Sequence, residues 1–341
     1  MIQKILMQIF GLNVQNFEID YFRLKERLKL ENLNLVDFGR IKLTSFTPIP
    51  LRTYGVELEG LVSREMLKEK LERLGLKAQL TGYNGGRINN YIAIGRDSSL
   101  VAEEGYETTE ITTPKLIGWG EKGFAVVRKI IEKWNEVGGK TNESCGCHVH
   151  VETWHWQKRR YKKLIIYMYL FQDFYWAIAP SRRDNRYCLP WSAWEVKDFL
   201  KYGDLPERYR MLNLSDCSWE DGHVEFRLFP GTLDVNQVEA FVLLSIETVE
   251  LLNRWQKVEE FVRSVIDTDS DNLFEKWLNM LRLGREQEHP VRKRVSKKLA
   301  DLALPNLALN DLHLEFKNKW NEIKEMLGQE LYRYFPNLRQ S

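Results

Sequence analysis

The sequence predicts an α+β fold, a mostly antiparallel sheet with helices on one face and chemically capable side chains on the other. Three observations lead there. First, Glu57-Leu58-Glu59, His148-Val149-His150 and Glu225-Phe226-Arg227 each set two polar residues around a hydrophobic one. Residues two apart in a strand share a face, so each stretch aims its polar pair one way. Its apolar neighbours (Val56 and Leu58, Val149 and Val151, Phe226 and Leu228) point the other way. Second, strand-like stretches interleave irregularly with long stretches of helical period. Third, 43% hydrophobic residues in a chain of 341 supply a core for one large domain or two ordinary ones.

The elements follow in order. Residues 1–50 have mixed periodicity, with a helical pattern around 16–30, and end in Thr47-Pro48-Ile49-Pro50, a boundary. We expect an N-terminal extension over 1–50, a catalytic domain over 51–255 and a helical region over 256–341. Residues 51–61 read as a strand. Residues 64–74 place Met66, Leu67, Leu71 and Leu74 at helical spacing, with Gly75 as the stop. Residues 78–81, 90–94 and 106–113 read as short strands, the last ended by Pro114, with turns at 82–86 and 96–99. Residues 124–137 form a helix closed by Gly138-Gly139, 144–152 a strand and 158–178 a helix. The apolar run 164–180 contains Gln172 and Asp173 and is too short to span a bilayer, so it reads as a buried helix. Residues 180–190 are an Arg-rich loop, 224–229 a strand and 236–255 a long helix. The rest reads as helices interrupted near Pro290 and Pro305.

Composition excludes several classes. A net charge of +2 argues against wholesale nucleic-acid binding. Cys145, Cys147, Cys188 and Cys217 show no regular framework, so they read as reduced thiols of a cytoplasmic protein. The apolar N-terminus is short, meets acid by Glu18 and lacks a small-residue cleavage site, so no signal peptide is expected. Neither a membrane nor a nucleic acid is an expected partner.

If the three polar pairs share one sheet, its face gathers three carboxylates, two imidazoles and a guanidinium. Divalent metal and phosphate need such a set: hard oxygen ligands, with Arg for phosphate oxygens. Alone, Glu57 and Glu59 also fit a solvated strand face, but like charges two apart persist more readily with a cation between them. Glu110 adds a carboxylate, with Asp97 and Glu107 near in sequence. Cys145-Gly146-Cys147-His148 invites a zinc reading. In a strand, however, the thiols face away from the imidazoles, so histidines with carboxylates from other strands are better placed. Arg182, Arg183 and Arg186 could clamp phosphate or carboxylate, or stay solvated. The basic residues of 292–298 read as a helix's wet face. Gly138-Gly139-Lys140-Thr141 resembles the end of a P-loop, but Trp134 stands where the motif needs Gly. A nucleotide would therefore depend on metal and Arg. Two alternatives remain. One is a cupin-like metal-dependent oxygenase or hydrolase, with His223 as third histidine; the other is a non-catalytic nucleotide- or partner-binding module.

Five blocks in order carry a resemblance: residues 54–59 (YGVELE), 96–100 (RDSSL), 110–118 (EITTPKLIG), 142–151 (NESCGCHVHV) and 224–233 (VEFRLFPGTL). Together they resemble the amidoligase family, over about residues 54 to 251. That family is similar in fold to glutamine synthetase and glutamate–cysteine ligase. The resemblance implies a glutamine-synthetase-like antiparallel sheet whose concave face holds ATP and two or three Mg²⁺ ions, with Mn²⁺ able to substitute. A small-molecule or peptide carboxylate would become an acyl phosphate and then be attacked by ammonia or an amine. Carried over by position, Glu57, Glu59, Glu110, His148 and Glu225 would be metal ligands. Glu59, Arg227, Arg182 and Arg186 would serve catalysis, with Arg227 on the transferring phosphoryl group. His150, Arg227 and Asn142 would lie at the nucleotide. The family usually has Asp-Gly-Ser where this chain has Asp97-Ser98-Ser99. The flanks, residues 1 to about 50 and about 256 to 341, lie outside the resemblance and would cover the substrate entrance or join a homo-oligomer.

Overall fold

Half-apolar strands need something to bury their apolar face against, and helices supply it here. The computed structural model describes residues 52–83, 91–117, 120–153, 156–203, 207–215, 222–266, 272–284, 289–307 and 311–340. All lie in one unit of the chain, Pro50–Ser341. The expected helix around 16–30, Cys217 and most of the expected turn at 82–86 fall outside the described residues.

The chain runs β1 (Thr53–Leu61), α1 (Arg64–Arg73), β2 (Ala78–Tyr83), β3 (Ile92–Arg96), β4 (Thr108–Thr112), β5 (Leu116–Ile117), α2 (Gly120–Glu136) and β6 (Gly146–Glu152). It continues with α3 (Lys158–Ile178), a 3₁₀ turn at Pro180–Arg182, α4 (Ala193–Lys201), β7 (Leu212–Asn213), β8 (His223–Pro230) and α5 (Val235–Leu251). The C-terminal helices are α6 (Trp255–Ile266), α7 (Leu273–Met280), α8 (Pro290–Leu307), α9 (Leu312–Leu327) and α10 (Leu331–Tyr334).

One sheet results, in the order β2-β3-β4-β1-β6-β8-β7, with β5 paired to the start of β1. Every pairing is antiparallel except β2 with β3. The sequence did not reveal that parallel pair, nor α4 and β7. The apolar residues of the three polar-pair strands are fully buried: Val56, Leu58, Val149, Val151 and Phe226. The long α5 packs behind β6 and β1, and α1 behind β2 and β3. Phe229 of β8 stacks on Phe241 of α5, centroids 4.3 Å apart. Each such burial contributes roughly 1.5–3 kcal/mol. α5 starts where the sequence supplies a cap, Asp234 accepting from the backbone N–H of Asn236 and Gln237. From Leu164 to Ile178 every residue of α3 is buried, which explains an apolar run without a polar face. No helix among the described residues is long and apolar enough to cross a membrane.

Two expectations change. Leu228 does not simply face away with Phe226. The β6–β8 register shifts between Val149↔Phe226 and Cys147↔Phe229, so Arg227 and Leu228 both stand opposite His148 in a β-bulge. Of the basic residues of 292–298, Lys293 and Lys297 are exposed as expected, but the other three are not a wet face. Arg292, Arg294 and Lys298 turn onto α5 and pair with Glu247, Glu239 and Asp234. The sheet is one layer with helices behind it, so the two-sheet jelly roll that a cupin needs is not what the described residues form.

Candidate active site

Register decides which polar residues meet. Glu110 of β4 lies across from Glu59 of β1, Glu57 across from His148 of β6, His150 across from Glu225 of β8, and Glu225 across from Asn213 of β7. Glycine stands beside two of them, Gly55 across from His150 and Gly95 across from Glu110. One row of chemistry therefore crosses five neighbouring strands.

The contacts are close. His148 Nδ1 lies 3.1 Å from Glu57 Oε2 and 3.4 Å from Glu225 Oε1, and its Nε2 lies 3.5 Å from Glu59 Oε1. His150 Nε2 lies 3.1 Å from Glu57 Oε1. Glu225 also accepts from Arg227 and, at 2.7 Å, from Asn213 Nδ2. Arg227 Nε donates to the Tyr187 carbonyl at 3.2 Å. Glu59 Oε2 accepts the Gly146 backbone N–H at 2.5 Å. Gly146 is there for space: a Cβ would lie 2.9 Å from His148 Nε2, 3.0 Å from Arg182 Nη2 and 3.1 Å from Glu59 Oε2.

Among the described residues, two groups have ligand atoms close enough to share an ion. One atom each from Glu57, His150 and Glu225 lie within 4.8 Å of one another, and likewise from Glu59, Asp97 and Glu110. Burial pushes the Glu57 and Glu225 carboxyls up, but the His150 and His148 imidazoles outweigh it and hold both below the usual range, Arg227 adding to this for Glu225. Glu110 has no such partner. Burial, then the charges of Glu57, Glu59, Asp97 and Glu225, push its carboxyl up to about 8. A cation among these oxygens would reverse that. The donor set, mainly carboxylate oxygen with imidazole, fits Mg²⁺ or Mn²⁺.

Arg182 carries the opposite demand. It is 3% exposed, yet its strongest bond is a 3.4 Å contact from Nη1 to the Cys145 carbonyl. Its Nε has no hydrogen-bond partner, and it forms no ion pair among the described residues. A buried guanidinium that makes no direct ion pair keeps donors to spare, so the place suits an anion.

The remaining expected residues lie differently. Arg186 is exposed and stacks on Tyr187, its Cζ 4.8 Å from the ring centroid. Asn142 is committed to its turn, its amide donating to the Val101 carbonyl at 3.0 Å and accepting from Ser144. Cys147 faces the core with Leu58 and Phe229, and burial raises the thiol pKa of Cys145, Cys147 and Cys188. None of the three is an activated nucleophile. Sequence reasoning did not place Asn213, Tyr187 or Gly146 in the site, and it noted Asp97 only as near in sequence. A two-residue strand and a backbone carbonyl leave no sequence signal.

No curated protein matches the chain. A solved structure, the complex between the prokaryotic ubiquitin-like protein Pup and its ligase PafA, is similar at 10% identity and a TM-score of 0.29. The likeness covers 83% of this chain and 68% of that one, and at that score adds nothing to the geometry above. The family model described as "Putative amidoligase enzyme" matches residues 50–249. That match spans more than half of the chain and every residue of the strand-borne cluster, and the chain belongs to this amidoligase family.

Proposed function

We propose that the protein is an ATP- and Mg²⁺-dependent ligase joining a carboxylate to an amine or ammonia through an acyl phosphate. One observation carries the reading. Four glutamates that call for a cation, Glu57, Glu59, Glu110 and Glu225, share a sheet face with two buried guanidiniums, Arg227 and Arg182, suited to anions. Phosphoryl transfer needs both, because charge builds on oxygens that cations and guanidiniums must neutralise. A single antiparallel layer backed by helices also suits the expected glutamine-synthetase-like architecture.

The roles follow. Glu57, His150 and Glu225 would hold one divalent ion, and Glu59, Asp97 and Glu110 another. His148, wedged among Glu57, Glu59 and Glu225, would orient the carboxylates or join them as a ligand. The metal–nucleotide would supply the phosphoryl group and the charge neutralisation. Arg227, fixed by Glu225 and the Tyr187 carbonyl, would face the transferring group, and Arg182 the acyl-phosphate oxygens. Catalysis would reside in residues 51–255, with peptide or small-molecule substrates.

The test is calorimetric titration of ATP with and without Mg²⁺, on wild type and Glu57→Ala. Binding that needs both the ion and Glu57 supports the reading and justifies screening carboxylate–amine pairs for ADP release. Binding that ignores both, or no binding at all, refutes it.

A further inference from the structure

Arg182 sits inside the site on a one-turn segment held by local hydrogen bonds, among them the Asn185 N–H to the Arg182 carbonyl at 3.1 Å and the Arg183 N–H to the Pro180 carbonyl at 3.3 Å. Its backbone N–H donates to the Ala179 carbonyl at 3.1 Å, and the Cys188 thiol donates to its carbonyl at 3.3 Å. The tie to the C-terminal helices is next door. Arg183 lies 3.3 Å from Asp173 on α3, and the other oxygen of Asp173 accepts from Lys319 of α9. Asp173 and Lys319 are both largely buried, whereas Arg183 is half-exposed. A second grip comes from α8, where Asn306 Nδ2 donates to the Ala177 carbonyl at 2.9 Å, at the end of α3. Packing seals the arrangement, with Phe316 of α9 against Phe171 and Phe174 of α3, centroids 5.1 and 6.3 Å away. Lys319 and Asn306 both lie beyond residue 249, outside the part the family model covers.

We propose that Lys319 is a positioning residue for Arg182, and that the C-terminal helices thereby complete the active site by fixing the 3₁₀ turn at Pro180–Arg182. The inference rests on Arg182 being an anion-binding group of that site. Without Lys319, the buried Asp173 carboxylate keeps one charged partner, the half-exposed Arg183. It draws Arg183 inward, and that moves the turn. A displacement of about 1 Å at such a group costs up to about 100-fold in rate.

The experiment compares Lys319→Met, Lys319→Arg, Arg183→Gln, Arg182→Met and Glu322→Gln with wild type. Glu322 accepts from Tyr169 across the same α3–α9 interface, so its variant replaces a charged acceptor by a neutral one and weakens that tie without touching the turn. Two quantities are read: the affinity for inorganic phosphate in the presence of Mg²⁺, and kcat and KM for ADP release from ATP. We expect Lys319→Met, Arg183→Gln and Arg182→Met each to weaken phosphate binding by about 10-fold and to lower kcat more than they raise KM. Lys319→Arg restores both, and Glu322→Gln leaves both unchanged at a lowered Tm. Arg183→Gln changes an exposed side chain, so its loss cannot be ascribed to misfolding. The proposal is overturned if Arg182→Met loses phosphate affinity while Lys319→Met and Arg183→Gln keep it, or if Glu322→Gln loses as much as Lys319→Met. If Arg182→Met binds phosphate like wild type, or wild type binds none, Arg182 is not an anion site. The active-site role given to Arg182 then falls, and this inference with it.

Discussion

Glu57 and Glu225 sit on strands that do not pair with each other, yet both reach the same nitrogen of His148, at 3.1 and 3.4 Å. β6 lies between their strands, and its imidazole bridges the two acids. His148→Ala removes that bridge and leaves two carboxylates, Glu225 buried and Glu57 partly so, facing each other beside His150. We expect a stability loss of about 2 kcal/mol in denaturant titrations, largely recovered by millimolar Mn²⁺. Equal losses with and without the cation would refute this account of the bridge.

Glu110 gives the site a pH dependence of calculable sign. Its carboxyl titrates at about 8 in the fold and near 4.5 when unfolded. Between those values the native state keeps a proton that the unfolded chain has released. Stability at this position is therefore highest below 4.5, falls as pH rises through the window, and levels off above about 8. Glu110→Gln removes that slope, so the variant gains on wild type from pH 5 to pH 9, by a few kcal/mol at most. Added Mg²⁺ is expected to take the place of the proton and flatten the wild-type curve. Parallel pH–stability curves for the two proteins without metal would show that Glu110 titrates normally.

The sheet face was legible because period-two alternation is strict: one apolar residue between two polar ones fixes the face of both. Glu57, His148, His150 and Glu225 were therefore placed by sequence alone. Their partners across strands were not, since register comes from pairing rather than from any one strand. Asn213 lies on a two-residue strand too short to show a pattern. The bulge at Arg227 and Leu228 breaks the alternation from within, where the local sequence remains an ordinary strand. The basic face of the C-terminal helix α8 was misread in part, at Arg292, Arg294 and Lys298, for a related reason. A basic helical face looks solvated until Glu239 and Glu247 of a helix some fifty residues away are seen beneath it.

Gly146 tests how tightly the site is built. A methyl group there meets His148 Nε2 at 2.9 Å, Arg182 Nη2 at 3.0 Å and Glu59 Oε2 at 3.1 Å, all three chemical groups of the site. Overpacking of this kind costs about 1–3 kcal/mol. The larger effect falls on function, because the three groups must move apart. Gly146→Ala is expected to weaken Mg²⁺ binding by about 10- to 100-fold, measured by calorimetry at a temperature where the variant is fully folded. An alanine variant that binds Mg²⁺ as wild type does would mean that the space over Gly146 is not part of the site.

Glu247 tests how the C-terminal helices are fastened. It is fully buried on α5 and paired with Arg292 of α8, itself fully buried, and with Arg254 at 3.1 Å. Burial raises the Glu247 carboxyl, and the two guanidiniums work against that rise. Removing one partner of a buried pair strands the other charge, which costs about 3–5 kcal/mol, whereas replacing both with apolar groups of similar volume is close to neutral. Glu247→Gln should therefore unfold at markedly lower denaturant, and Glu247→Leu with Arg292→Met should recover most of the loss. If α8 is held mainly by this pair, the single variant should also open it to proteolysis near residue 290 before the sheet unfolds. A double variant as unstable as the single one would show that the pair contributes more than it costs.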